Sequence, residues 1–73
     1  MSCRTAITEY VDNRLIGGYK PSEGFTVRDI VKRTWYADAT VREILWDMVK
    51  KELLRRELVD QIYRYYPTDK WAA

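Results

Sequence analysis

The chain has 73 residues and a net charge of +2; with a third of its residues charged and nearly half hydrophobic, it has the composition of one folded domain with a modest core. No apolar run exceeds three residues and no signal peptide is visible, so a cytoplasmic protein without a membrane span is expected. Histidine is absent, Cys3 is the single cysteine, and neither Ser2 nor Ser22 has a nucleophile's surroundings, so no metal, cofactor or catalytic activity is expected.

The first element is a helix over residues 5–16, in which Ile7, Tyr10, Val11 and Leu15 recur at helical spacing and form one apolar face. Gly17 and Gly18 are expected to stop it through a left-handed backbone, and residues 19–24, with Pro21, read as a loop. Phe25, Thr26 and Val27 form a strand fragment entering a two-turn helix that ends near Thr34, with Val27, Ile30 and Val31 inward. Thr26, with Asp29 three residues on, resembles a capping box. Residues 35–39 are a break, where Asp38 suits a turn and Trp35 and Tyr36 are expected to pack in the core or at a corner.

Thr40 with Glu43 makes a full capping box, which predicts a helix over residues 40–51. Val41, Ile44, Leu45, Met48 and Val49 give it the strongest periodicity in the chain. Residues 53–59 fit either a continuation of that helix or a strand. The run Ile62-Tyr63-Arg64-Tyr65-Tyr66, closed by Pro67, is strand-like and needs a partner. With Asp60-Gln61 as the turn, Val59 faces Ile62, Leu58 faces Tyr63 and Glu57 faces Arg64. Leu54, Leu58, Tyr63 and Tyr65 then share one side, with Arg56 as the misfit. Residues 1–4 and 68–73 are expected to be loose unless Trp71 packs back onto the body.

Helix, short strand, short helix, turn, longer helix, hairpin: this order resembles the winged helix-turn-helix domains. The run Phe25-Thr26-Val27-Arg28-Asp29-Ile30-Val31 resembles the start of their positioning helix. Thr40-Val41-Arg42-Glu43-Ile44-Leu45-Trp46-Asp47-Met48 looks like their recognition helix, and Leu53-Leu54-Arg55-Arg56 is similar to the start of their wing. The resemblance covers residues 5–66. It implies an α+β, mainly α domain over 1–73, with three helices and a β-hairpin wing, acting as a small transcriptional regulator on double-stranded DNA. Two departures stand out: Glu52 replaces the usual glycine before the first wing strand, and the wing tip carries Asp60 and no base.

In the usual docking, the helix starting at Thr40 enters the major groove. Thr40, Arg42, Glu43, Trp46, Asp47 and Lys50 lie on its solvent side. Arg42 suits bidentate reading of guanine, although a solvated helix residue is the plainer reading. Thr40 and the helix N-terminus suit a phosphate. Lys32, Arg33, Lys50, Arg55, Arg56 and Arg64 are candidate backbone contacts. Residues 1–31 carry four charges of each sign, so the whole positive excess falls in residues 32–73. A homodimer or a partner protein is expected, because one helix reads too little sequence alone. The competing reading is a protein-interaction module, an adaptor or inhibitor, using Trp46 and the Tyr63, Tyr65, Tyr66 cluster. Trp46 is also a candidate to pack on Trp71. A third reading runs one helix through residues 40–59 and has no wing.

Overall fold

The computed structural model describes residues 2–17 and 24–71. Three helices, α1 (Cys3–Ile16), α2 (Val27–Thr34) and α3 (Asp38–Lys50), precede a two-stranded antiparallel sheet of β1 (Leu54–Val59) and β2 (Ile62–Pro67). The arrangement is α+β and mainly α. No helix among the described residues is long and apolar enough to cross a membrane.

The helix starts follow capping chemistry in two cases and depart from it in the third. Ser2 caps α1, its hydroxyl accepting from the Thr5 amide at 3.1 Å. Thr26 caps α2 in a complete box: its hydroxyl accepts from the Asp29 amide, and the Asp29 carboxylate accepts from the Thr26 amide. By contrast, α3 begins at Asp38, two residues before the expected Thr40, with Ala37 at the cap position and no side-chain cap bond. Extended Ala37 (ψ 142°) already offers its carbonyl to the Val41 amide at 3.0 Å. Ala39 is a strong helix former, and the Asp38 carboxylate favours the positive end of the helix, so the earlier start wins.

The helix ends also depart from expectation. Gly17 closes α1 at φ −79°, not in the left-handed region, with its amide donating to Asn13. The expected loop over 19–24 lies outside the described residues except for Gly24. Two non-glycine residues take the left-handed position at the other helix ends. Trp35 (φ 65°) ends α2, its amide bonded to the Val31 carbonyl. Glu52 (φ 64°) follows α3 in a Schellman motif, in which the Glu52 amide bonds Val49 and the Leu53 amide bonds Met48. The hairpin therefore starts where the resemblance placed it, although glycine is missing there.

Antiparallel pairing in the hairpin follows the expected register, with Val59 opposite Ile62, Leu58 opposite Tyr63 and Glu57 opposite Arg64. Asp60 and Gln61 both have positive φ (50° and 66°), as a type I′ turn requires. A helix running through residues 40–59 is thereby ruled out. Phe25 joins the sheet on the far side of β2, exchanging two backbone hydrogen bonds with Tyr65 at 2.9 and 2.7 Å. Gly24 beside it has φ 65°, and a Cβ there would meet the Tyr66 ring at 2.9 Å, so this approach requires glycine.

The core gathers one face from each element: Ile7 and Val11, Phe25 and Ile30, Val41, Leu45 and Met48, Leu54 and Tyr65. Tyr10 meets Phe25 edge-on, and Phe25 stacks on Tyr65. Within the described residues the N-terminal end departs from the expected looseness, while at the C-terminal end Trp71 packs back onto the body, the case in which a loose end was not expected. Cys3 is buried, which pushes its thiol above the ordinary range. Arg4 bridges to Asp47 of α3. At the other end Trp71 packs against the core and donates its indole N–H to Asp12 at 2.8 Å. Thr68 bonds the Leu53 carbonyl, and Lys70 pairs with Glu52.

Candidate functional site

The outward face of α3 carries Arg42, Trp46 and Lys50 at four-residue spacing, so they line up along one side of the helix. Thr40 and Glu43 are exposed beside them. Thr40, being inside the helix, is available as a hydroxyl rather than spent as a cap. The Arg42 Nε bonds the Asp38 carboxylate at 3.0 Å, one turn back along the helix. Asp47, which alone would repel an anion, is instead clasped by Arg4 and by Lys51 at 3.1 Å. Those hydrogen bonds, Arg4's first, hold its carboxyl below the ordinary range.

An open cleft of about 950 Å³ separates this face from the hairpin. Arg28, Arg42, Trp46, Arg56 and Tyr63 line it, together with the carboxylates of Asp38 and Glu43. Arg56, the misfit in the strand pattern, reaches from the hairpin to the exposed face of the helix. It shares a face of β1 with Leu54 and Leu58, and its guanidinium carbon lies 3.9 Å from the Trp46 ring centroid and 4.1 Å from that of Tyr63. Both distances are well inside the range of cation–π contact. Lys50 reaches the same indole at 6.0 Å. Trp46 thus packs on Arg56 and not on Trp71.

The other basic candidates are dispersed. Arg55 and Arg64 sit on the opposite face of the hairpin, where Arg55 lies over Tyr66 at 4.5 Å and pairs with Glu57 at 3.8 Å. Arg33 lines a separate hollow of about 350 Å³ against α1, together with Glu9 and Tyr36. Lys32 is exposed one turn beyond Arg28 and extends that side of α2. Arg28 was missed from the sequence. The available signal was its four-residue spacing to Lys32 on the polar side of a short amphipathic helix, which does not say what that side faces.

The aromatic residues also sort differently from expectation. Tyr65 and Tyr66 are buried, which leaves Tyr63 as the accessible member of the tyrosine cluster. Trp35 is not in the core: it is 89% exposed, because the left-handed backbone that ends α2 turns its indole outward. The end of the hairpin presents Leu58, Val59, Ile62 and Tyr63 to solvent.

No family model matches the chain, and no curated protein or solved structure matches it either.

Proposed function

We propose that this chain is a non-catalytic winged helix-turn-helix module that binds double-stranded DNA, with α2 and α3 as the helix-turn-helix and the hairpin as the wing. The observation that carries this reading is the convergence of Arg28, Arg42 and Arg56, from three different elements, on the cleft along the exposed face of α3. Three cations on one concave face, set against the carboxylates of Asp38 and Glu43, suit a phosphate backbone, whose neutralisation releases counterions and drives association. Arg42, the nearest of the three to the start of α3, suits a base edge. Its pairing with Asp38 is solvent-exposed, so exchanging that partner for a base costs about 1 kcal/mol or less. Asp47 does not oppose this, since its charge is already matched by Arg4 and Lys51. A homodimer, or a partner protein, completes the specificity that one such helix lacks.

A second reading, protein docking, is favoured by one observation: the hairpin tip is apolar, with Leu58 and Ile62 more than half exposed and Asp60 as its only charge. Salt separates the two readings, because apolar docking resists it.

The test is a salt titration of binding to random-sequence duplex DNA. For wild type, affinity falls steeply with salt. In a triple variant, Arg28→Ala, Arg42→Ala and Arg56→Ala, the slope of log K against log salt is shallower by about 0.9 for each phosphate no longer neutralised. Arg55→Ala, on the other face of the hairpin, leaves the slope unchanged. Absence of wild-type binding at about 50 mM salt, where non-specific association is strong, overturns the DNA reading.

A further inference from the structure

We propose that Trp46 is a positioning residue: with Tyr63 it holds Arg56 as a preformed fork for a phosphate of the DNA backbone. The inference rests on the DNA reading and assigns the exposed indole a role that is neither base contact nor protein docking.

An arginine on an edge strand ordinarily samples many rotamers, and ordering it on a ligand costs free energy. Here two rings, from α3 and from β2, pack on the one guanidinium at 3.9 and 4.1 Å. A cation–π contact uses no carboxylate or carbonyl acceptor, so a guanidinium held this way keeps hydrogen-bond donors for a partner. Among the described residues no acceptor is hydrogen-bonded to Arg56 and no carboxylate is paired with it. Arg42 and Arg55, by contrast, have Asp38 and Glu57. A planar fork with free donors, opening on a cleft, matches the paired oxygens of a phosphate. The same fork also matches guanine. Its position favours phosphate, because Arg56 is anchored one turn beyond Arg42, away from the helix N-terminus that would approach base edges.

The experiment is a double-mutant cycle on the full chain, read by affinity for duplexes of several unrelated sequences at several salt concentrations. Trp46→Ala weakens binding about two- to fivefold, the worth of an exposed cation–π contact, and leaves the salt slope unchanged. Trp46→Phe, which keeps a ring under the guanidinium, restores most of that affinity. Arg56→Ala reduces the slope by about one unit, equally on every sequence. In the Arg56→Ala background, Trp46→Ala has no further effect. An undiminished Trp46→Ala effect in that background would mean that the indole touches DNA itself, and no effect in either background would mean that it orients nothing. An Arg56→Ala weakening confined to particular sequences would mean that the fork reads a base. Each of these three outcomes overturns the proposal.

A second readout does not depend on DNA: the Arg56 Nε–H resonance, titrated with inorganic phosphate. It shifts in wild type and in Trp46→Phe, and the shift is much smaller in Trp46→Ala. If wild type fails to bind duplex but this shift is present, the DNA reading falls and the oxyanion fork stands. If phosphate leaves the resonance unmoved in wild type, the fork falls whether or not DNA binds.

Discussion

Trp35 combines two features that rarely occur together, a left-handed backbone and a bulky side chain almost wholly in water. An L-residue in this conformation costs about 1–2 kcal/mol, and glycine avoids that cost while adding about 0.4–1 kcal/mol of unfolded-state entropy. Since the indole buries little, Trp35→Gly is expected to stabilise the fold by about 0.5–1 kcal/mol, read from urea unfolding. A drop in stability would show instead that the indole contributes packing. Glu52 and the Asp60-Gln61 pair occupy the same region of backbone space, so four non-glycine residues are left-handed among the described ones. At Glu52 the side chain is engaged: Lys70 pairs with it and holds its carboxyl below the ordinary range.

Among the elements, the two longest helices were legible from spacing, since Ile7, Val11, Val41, Leu45 and Met48 all reach the core, although Leu15, expected on the same face of α1, is exposed. Their ends were less so. Thr26 and Thr40 each begin a Thr-x-x-acid sequence, but only Thr26 caps a helix. Thr26→Ala therefore removes a real capping bond and costs about 1 kcal/mol. Thr40→Ala, inside α3 and exposed, is neutral or stabilises by up to about 0.5 kcal/mol through higher helix propensity. Urea midpoints of the two variants decide the point, and equal drops would place the cap at Thr40 after all. The hairpin shows the same division. Its register followed from taking Asp60-Gln61 as the turn, residues 53–59 also fitted a helix until the pairing was seen, and Arg56 looked like an error in the pattern. It became intelligible only when α3 brought Trp46 against it.

For the molecule as a whole, stability in a domain of this size amounts to about 4–11 kcal/mol, so contacts between distant segments matter. Arg4 and Lys51 converge on Asp47, which links the start of α1 to the end of α3. A carboxylate with a lowered folded pKa adds stability above its unfolded value, about 3.9 for aspartate, and that stability is lost as pH falls through the folded value. The urea midpoint of wild type should thus decline as pH falls below about 4. In Arg4→Ala the decline is smaller, because the midpoint is already lower at neutral pH and meets that of wild type in acid. Equal declines in both proteins would mean that the Arg4 pair is not what lowers the carboxyl.

What the amino-acid sequence determined was local in origin: the positions of three helices, a box at Thr26 and the scarcity of catalytic side chains, with the hairpin register following once Asp60-Gln61 is taken as the turn. Each depends on neighbours a few residues apart, whose spacing is written in the chain. What required the folded chain was relational. Which arginines share a face, which tyrosines are buried, and what the exposed indole of Trp46 touches all depend on how α2, α3 and the hairpin meet. Arg55 and Arg56 are adjacent in sequence yet face opposite sides of the sheet, while Arg28, Arg42 and Arg56 are far apart in sequence and line one cleft. Strand alternation separates the first pair and long-range packing unites the second set, and packing is a property of surfaces brought together that no single segment encodes.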